Sequence, residues 1–184
     1  MTMPPMSGAP DTIRRYLDEH VLQVQVPTRE EIESLLAKAT TSASDATQPG
    51  LSASGAVQLG FQAQLQATMA VLRTYGYRTV QSDKAHHFRL IDSVRVLAKA
   101  EGEDALAAAM LPLDRLRSAR ARSIYEQEMS TPEEGAQALR EMQQTLASVH
   151  GFLEPRLARI PAQQRVTPVA PPATSRPRAK PSSP

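Results

Sequence analysis

The run TPEEGAQALREMQQTLASVHGFL, from Thr131 to Leu153, carries its own helix-start signal. The Thr131 hydroxyl can accept from the amide of Glu134 while the Glu134 side chain returns to Thr131. Pro132 takes the first helical position, where its missing N–H has no intrahelical partner to lose. Leu139, Met142, Leu146, Val149 and Leu153 follow at spacings of 3, 4, 3 and 4, which is one apolar stripe on a helix expected to end near Gly151 to Pro155. A stripe of that length needs a partner surface.

The partners lie upstream. Thr28, Arg29, Glu30 and Glu31 repeat the capping box ahead of Ile32, Leu35, Leu36 and Ala39. Ser52 to Tyr75 has no proline, places Val57, Phe61, Leu65, Met69 and Leu72 at helical spacing, and widens that face with Ala56, Ala63, Ala67 and Ala70. It reads as a central helix with close neighbours, closed by a left-handed cap at Gly76. Leu90, Ile91, Val94 and Leu97 mark a helix after His86 and His87. Ala105 to Met110 is a short helix stopped by Pro112, from which another runs through Tyr125. Asp11 to about His20 forms a short leading helix. Strand-like alternation is confined to Val21 to Val26, and no internal repeat is present.

Composition agrees with a helical reading. Of the 184 residues, 41% are hydrophobic and 22% charged, but only 4% are aromatic and none is Trp. A core of Leu, Ala, Val and Ile suits packed helices better than a sandwich or barrel. No apolar run approaches the roughly 20 residues of a membrane helix, and Met1 to Asp11 lacks the basic and apolar regions of a secretory signal. The absence of Cys excludes disulfides, thiolate metal sites and a cysteine nucleophile, and agrees with a cytoplasmic location.

The formal charge of +2 is unevenly placed. Arg156, Arg159, Arg165, Arg176, Arg178 and Lys180 fall in a C-terminal segment with no acid, leaving about −4 on residues 1 to 155. That segment, 156–184, holds seven of the 15 prolines and is expected to be a disordered, polyproline-prone tether or weak polyanion contact. Residues 1–11 are expected to be disordered as well. The fold class is therefore all-α, with a helical bundle over residues 12–155.

Chemistry concentrates between Leu113 and Glu126. At about 100° per residue, Leu113, Leu116, Arg117, Arg120 and Ile124 share one side of the helix, while Arg115, Ser118, Arg122 and Tyr125 share another. Two arginines on an apolar side must meet a carboxylate of this chain or of a second copy, a cluster of carbonyls, or a phosphate, which the planar guanidinium fork fits. An isologous homodimer could supply such acids.

The order of these elements resembles the HEPN family (higher eukaryotes and prokaryotes nucleotide-binding). The features that carry the resemblance are the capped helix at Thr28, the Ala-rich helix ending in Leu72-Arg73-Thr74-Tyr75-Gly76-Tyr77-Arg78, the His86-His87 pair, and the arginine-rich segment closing in Tyr125-Glu126. It spans about residues 12–155. In that family the last segment commonly reads Arg, Asn, three residues, then Tyr, or Arg with four to six residues before a catalytic His. The match puts Arg120 at the family's arginine and Tyr125 at its His or Tyr. The resemblance implies a HEPN-like bundle of about five helices that dimerises. It also implies a partner protein from the same operon, a nucleotidyltransferase or a nuclease, within a toxin–antitoxin or phage-defence module.

Catalytic HEPN proteins are metal-independent ribonucleases. Here Ala121 stands where Asn is usual, and Tyr125, with an ordinary pKa near 10, replaces a group that titrates near neutrality. The resemblance thus implies a non-catalytic binding or regulatory component acting through protein partners and RNA or nucleotide. Its alternative is a ribonuclease toxin using Arg120 with Tyr125, or with His86 or His87. The RNA- or nucleotide-binding candidates are Arg117, Arg120, Arg122, Tyr125, His86 and His87, with Arg78, Lys84 and Arg89 beside the histidines. Adjacent histidines project about 100° apart and do not form the i, i+4 pair of helical zinc sites. No metal and no cofactor is called for, and His20 and His150 stand alone.

Overall fold

Side-chain oxygens open the three longest helices of the computed structural model, which describes residues 9–80, 86–121 and 129–160. Thr28 Oγ1 accepts from Glu31 N at 3.2 Å ahead of α2 (Arg29–Ala46), and α1 (Asp11–Asp18) precedes it. Ser52 Oγ accepts from Gly55 N at 3.1 Å ahead of α3 (Ala53–Thr74). The chain continues through α4 (His86–Ala100), α5 (Asp104–Ala109), α6 (Leu111–Ala121) and α7 (Pro132–Leu157). Of the seven helices among the described residues, five exceed ten residues. The all-α reading holds, with one small sheet added.

The two expected capping boxes form to different degrees. At Thr131 both halves are present: Glu134 N donates to Thr131 Oγ1 at 3.2 Å and Thr131 N donates to Glu134 Oε2 at 2.9 Å. At Thr28 only the hydroxyl half forms. The Glu31 carboxylate turns instead to Gln25 Nε2 at 2.9 Å and Arg73 Nε at 2.8 Å, because a guanidinium is a stronger donor than a neutral backbone amide.

α3 is the element on which α2, α4, α6 and α7 all pack. Val57, Phe61, Leu65 and Leu72 are buried, as are Ala56, Ala63, Ala67 and Ala70, whose small side chains admit close neighbours. α7 lays Ala138, Met142, Val149, Phe152 and Leu153 into the core. Where the starts of α3 and α7 meet, a Cβ on Gly135 would stand 3.0 Å from the Ala53 Cα, so glycine sets the approach there. The sequence reading missed a polar seam inside this interface. Gln64, Thr68 and Thr145 are fully buried, and the Thr145 hydroxyl lies 2.9 Å from Gln64 Oε1 and 3.2 Å from the Ala109 carbonyl. Gln64 Nε2 donates to the Gly60 carbonyl and Thr68 Oγ1 to the Gln64 carbonyl, so each buried group has a partner.

A two-stranded antiparallel sheet joins β1 (Leu22–Val24) to β2 (Tyr77–Thr79), pairing Leu22 with Thr79, Gln23 with Arg78 and Val24 with Tyr77. The alternation at Val21 to Val26 signals β1, but only Leu22 is buried, while Val24 and Val26 face solvent. β2 follows Gly76, whose φ of 82° turns the chain back after α3 as its expected cap requires. His20 also takes a left-handed φ, 56°, and closes α1 with bonds from His20 N to Leu17 O and from Val21 N to Tyr16 O.

The C-terminal boundary requires a correction. α7 continues through Pro155 to Leu157, and Ile160 is buried. Arg156, expected in the basic tail, lies over the Phe152 ring at 3.7 Å and donates to Glu101 Oε2 at 3.0 Å and Glu103 Oε1 at 2.9 Å. Those contacts hold the last turn although Pro155 leaves the exposed Gly151 carbonyl without an intrahelical donor. The expected disorder of the two ends concerns residues that, from 161 onward and before 9, lie outside the described residues.

Two outcomes test this packing. Thr131→Ala should cost about 1 kcal/mol, since it removes a complete capping box, and should lower the melting temperature without changing the helical circular dichroism of the folded state. The second concerns alkaline pH. Burial raises the pKa of Tyr16, Tyr75 and Tyr77, with Asp92 adding to the effect at Tyr16 and Glu101 at Tyr75. Unfolded phenols ionise near pH 10 while the folded ones keep their protons, so the unfolded state binds fewer protons and stability falls as pH rises above about 10. Urea titrations from about pH 8 to 11 should show that fall. Tyr75→Phe should flatten it, because it removes one of the buried phenols whose pKa folding raises.

Candidate functional site

α6 starts where Met110, buried at the end of α5, hands the chain to Leu111 and Pro112. Leu113 and Leu116 are buried, which fixes the face that the helix turns to α3. Arg117, expected on that apolar side, keeps 40% of its side chain exposed, and its Nε donates to Asp114 Oδ1 of the same helix at 2.9 Å. With that intrahelical partner and a partly exposed head, it needs none from another element.

Among the described side chains of α6, the arginine that does reach another element is Arg115, expected on another side of the helix. Its guanidinium pairs with Glu141 of α7, whose side chain is only 8% exposed and also accepts from Gln137 Nε2 at 2.7 Å. Glu141 Oε2 has no hydrogen-bond partner among the described residues. An arginine–carboxylate pair thus joins α6 to α7, but through Arg115, two residues and about 200° of helix away from Arg117, which was expected to make it. A signal was available: Glu141 lies three residues after Ala138 and four before Thr145, in the stripe that α7 buries. The backbone of Arg120 belongs to α6, but its side chain lies outside the described residues, as do Arg122 and Tyr125.

The histidine pair opens α4. The two rings lie 3.9 Å apart, and His87 meets the edge of the buried Phe61 ring at 5.7 Å. His87 therefore fastens the first turn of α4 to α3. No group of three metal-ligating side chains occurs among the described residues. Phe88 and Ile91 of α4 border a groove of about 190 Å³ closed by Met110, Leu111 and Asp114, so α4 and the start of α6 share one surface.

The other cations expected near the histidines separate. Arg89 stacks on the Tyr16 ring at 4.6 Å and pairs with Glu19 at 3.1 Å. Beside it Tyr16 donates to Asp92 Oδ2 at 2.8 Å and Arg95 donates to Asp92 Oδ1 at 2.6 Å, so this cluster docks α1 onto α4. Arg78 lies on β2 and donates to Gln23 Oε1 at 2.7 Å, and Lys84 falls outside the described residues. The sequence reading did not single out Glu141, and it gave Glu31 only a capping role and Arg73 only a place at the end of the Ala-rich helix, although the fold ties Glu31 to Arg73 and Glu141 to Arg115.

The class defined by these observations is an all-α bundle with a minor two-stranded sheet, in which, among the described residues, no helix is long and apolar enough to cross a membrane. Set against protein-family models, curated proteins and solved structures, the chain finds no match in any of the three.

Removing the α6–α7 pair should be costly in one direction only. Arg115→Ala strands a buried carboxylate and should lower stability by about 2 kcal/mol, below the roughly 3–5 of a fully buried pair because the guanidinium is half exposed. Glu141→Gln introduced into that variant should restore most of the loss, as measured by urea denaturation.

Proposed function

We propose that this chain is a non-catalytic, HEPN-like binding or regulatory component of a bacterial toxin–antitoxin or phage-defence module, working in the cytoplasm through protein partners and RNA or nucleotide. The observation that carries the non-catalytic part is Tyr125 in place of a histidine; among the described candidate groups, Arg117 pairs with Asp114 and His87 packs on Phe61. General acid–base cleavage needs a proton-transfer group near neutrality presented to substrate, and Tyr125 in place of histidine is ill suited to it.

The binding part rests on the arginine-rich segment that holds the candidates Arg117, Arg120 and Arg122 within six residues. A homodimer, or a complex with a nucleotidyltransferase or nuclease from the same operon, follows from the same resemblance. The groove between α4 and α6, with Phe88 and Leu111 exposed at its border, supplies apolar area for such a contact.

Arg120→Ala separates the readings. In the binding component it should lower the melting temperature and weaken dimerisation in light scattering, while the wild type leaves a labelled single-stranded RNA intact. RNA cleavage by the wild type that vanishes in Arg120→Ala at unchanged melting temperature would establish the ribonuclease alternative, with Tyr125→Phe expected to be inactive as well.

A further inference from the structure

We propose that the outer edge of the two-stranded sheet, from Gln23 to Val26, takes up an extended segment of another protein as a third strand, with a carboxylate of that segment held by Arg78 and apolar residues on either side of it. The proposal draws nothing from α6 or from the resemblance to HEPN proteins. It assigns a docking surface and the chemistry of the chain that fits it.

The ladder fixes which backbone groups face outward. Val80 N donates to the Val21 carbonyl at 3.0 Å and Gln25 N to the Gly76 carbonyl at 2.8 Å. Hydrogen-bonded and non-hydrogen-bonded pairs alternate in an antiparallel ladder. Gln23 with Arg78 is therefore the hydrogen-bonded pair between those two, and Leu22 and Val24 turn their N–H and C=O groups away from β2. Leu22 is buried, which leaves the open stretch at Gln23 to Val26. The sheet meets α3 and α4 through β2, whereas β1 packs on β2 and on α1 just ahead of it. The Val24 N–H and C=O make no hydrogen bond outside the ladder among the described residues. An edge of this kind is a template for a further strand.

Side chains make the edge selective. Val24 and Val26, two residues apart, are 41% and 69% exposed, and a strand laid beside them would cover both. Charge sits at Gln23. Arg78 stands opposite it and donates from Nη2 to Gln23 Oε1 at 2.7 Å, which carries the guanidinium across from β2 to β1. Arg78 is exposed and, among the described residues, pairs with no carboxylate. A third-strand residue opposite Gln23 would place its Cβ about 5 Å away on the same face, within reach of that guanidinium. At Gln25 the balance differs: Gln25 Nε2 donates to Glu31, which Arg73 also binds, so an acid is already present there. The unmatched charge is thus positive and local to Gln23. The fitting segment reads apolar, acidic, apolar.

Two nearer occupants lack that acid. A second copy would offer its own Val21 to Val26, which has no charged residue, and the carboxylate beside it, Glu31, is bound by Gln25 and Arg73. Residues 161–184 contain no Asp or Glu and seven prolines, each without the N–H that a ladder needs. Charge complementarity therefore favours a separate, acid-bearing chain.

NMR titration of the isotope-labelled full chain tests this with two capped heptapeptides, Thr-Thr-Val-Glu-Val-Thr-Thr and its Glu-to-Lys counterpart. The Glu peptide should move the amide signals of Gln23 to Val26 and bind at least about tenfold more tightly than the Lys peptide, which is the effect of one charge-assisted hydrogen bond. Arg78→Glu should invert that preference at unchanged melting temperature, an outcome that a merely structural arginine would not produce. Val24→Pro removes an outward N–H and no ladder bond, so the variant should fold and bind neither peptide. The proposal fails if no amide from Gln23 to Val26 moves with about 5 mM Glu peptide, if the wild type does not distinguish the two peptides, if Arg78→Glu leaves the preference unchanged, or if binding survives Val24→Pro. Movement of these amides with protein concentration alone would give the edge to a second copy, and movement on deletion of residues 161–184 would give it to the C-terminal segment. Either result overturns the acidic partner.

Discussion

A helix buried over more than half of its circumference cannot stand without neighbours, and α3 is such a helix. Its buried positions run from Ala56 to Leu72 and include Gly60, Gln64 and Thr68 as well as the apolar residues. At 100° per residue they cover well over half a turn of the cylinder, much more than the stripe of a surface helix. α2, α4, α6 and α7 each shield part of that surface, and β2 of the two-stranded sheet packs at its C-terminal end. The alanines and Gly135 let the partners come close, and that closeness makes the buried hydroxyls and amide of the seam pair with each other rather than with water.

Ionic contacts then fix how the covering helices sit. Arg115 with Glu141 ties α6 to α7, Arg73 with Glu31 ties α3 to the start of α2, and Arg89 with Glu19 ties α4 to the end of α1. Arg156 with Glu101 and Glu103 ties the last turn of α7 to the connection between α4 and α5. Each pair is half exposed on at least one side or joined by further hydrogen bonds, so none leaves an isolated charge in the interior. An arginine-rich chain of this kind is read for phosphate contact on composition alone, yet several of its arginines are structural struts. The distinction matters for function, because a guanidinium whose donors the fold consumes has fewer left to offer an anion.

What could be read from the sequence was what depends on residues within about one helical turn. The hydroxyl caps at Thr28 and Thr131, the left-handed turn at Gly76, the span of α3 and the stripe of α7 are all local matters of hydrogen bonding and periodicity. They sufficed for the all-α class. Of the candidate site, the sequence singled out α6 and the histidine turn of α4, where His87 packs against the buried Phe61, but it could not say which arginine met which acid.

Those choices were made by contacts between residues far apart in the chain. Glu31 abandoned its own cap for Arg73, 42 residues on, and Arg115 rather than Arg117 found Glu141, 26 residues on. Thr145 met Gln64 across 81 residues, and Tyr77–Thr79 became a strand only because Leu22–Val24 lay within reach to pair with it. Periodicity gives the direction of a side chain to within a sector of the helix, while a guanidinium on its long stem can reach either flank of that sector. The carboxylate that decides between the flanks belongs to another helix, and its position exists only after the chain has folded.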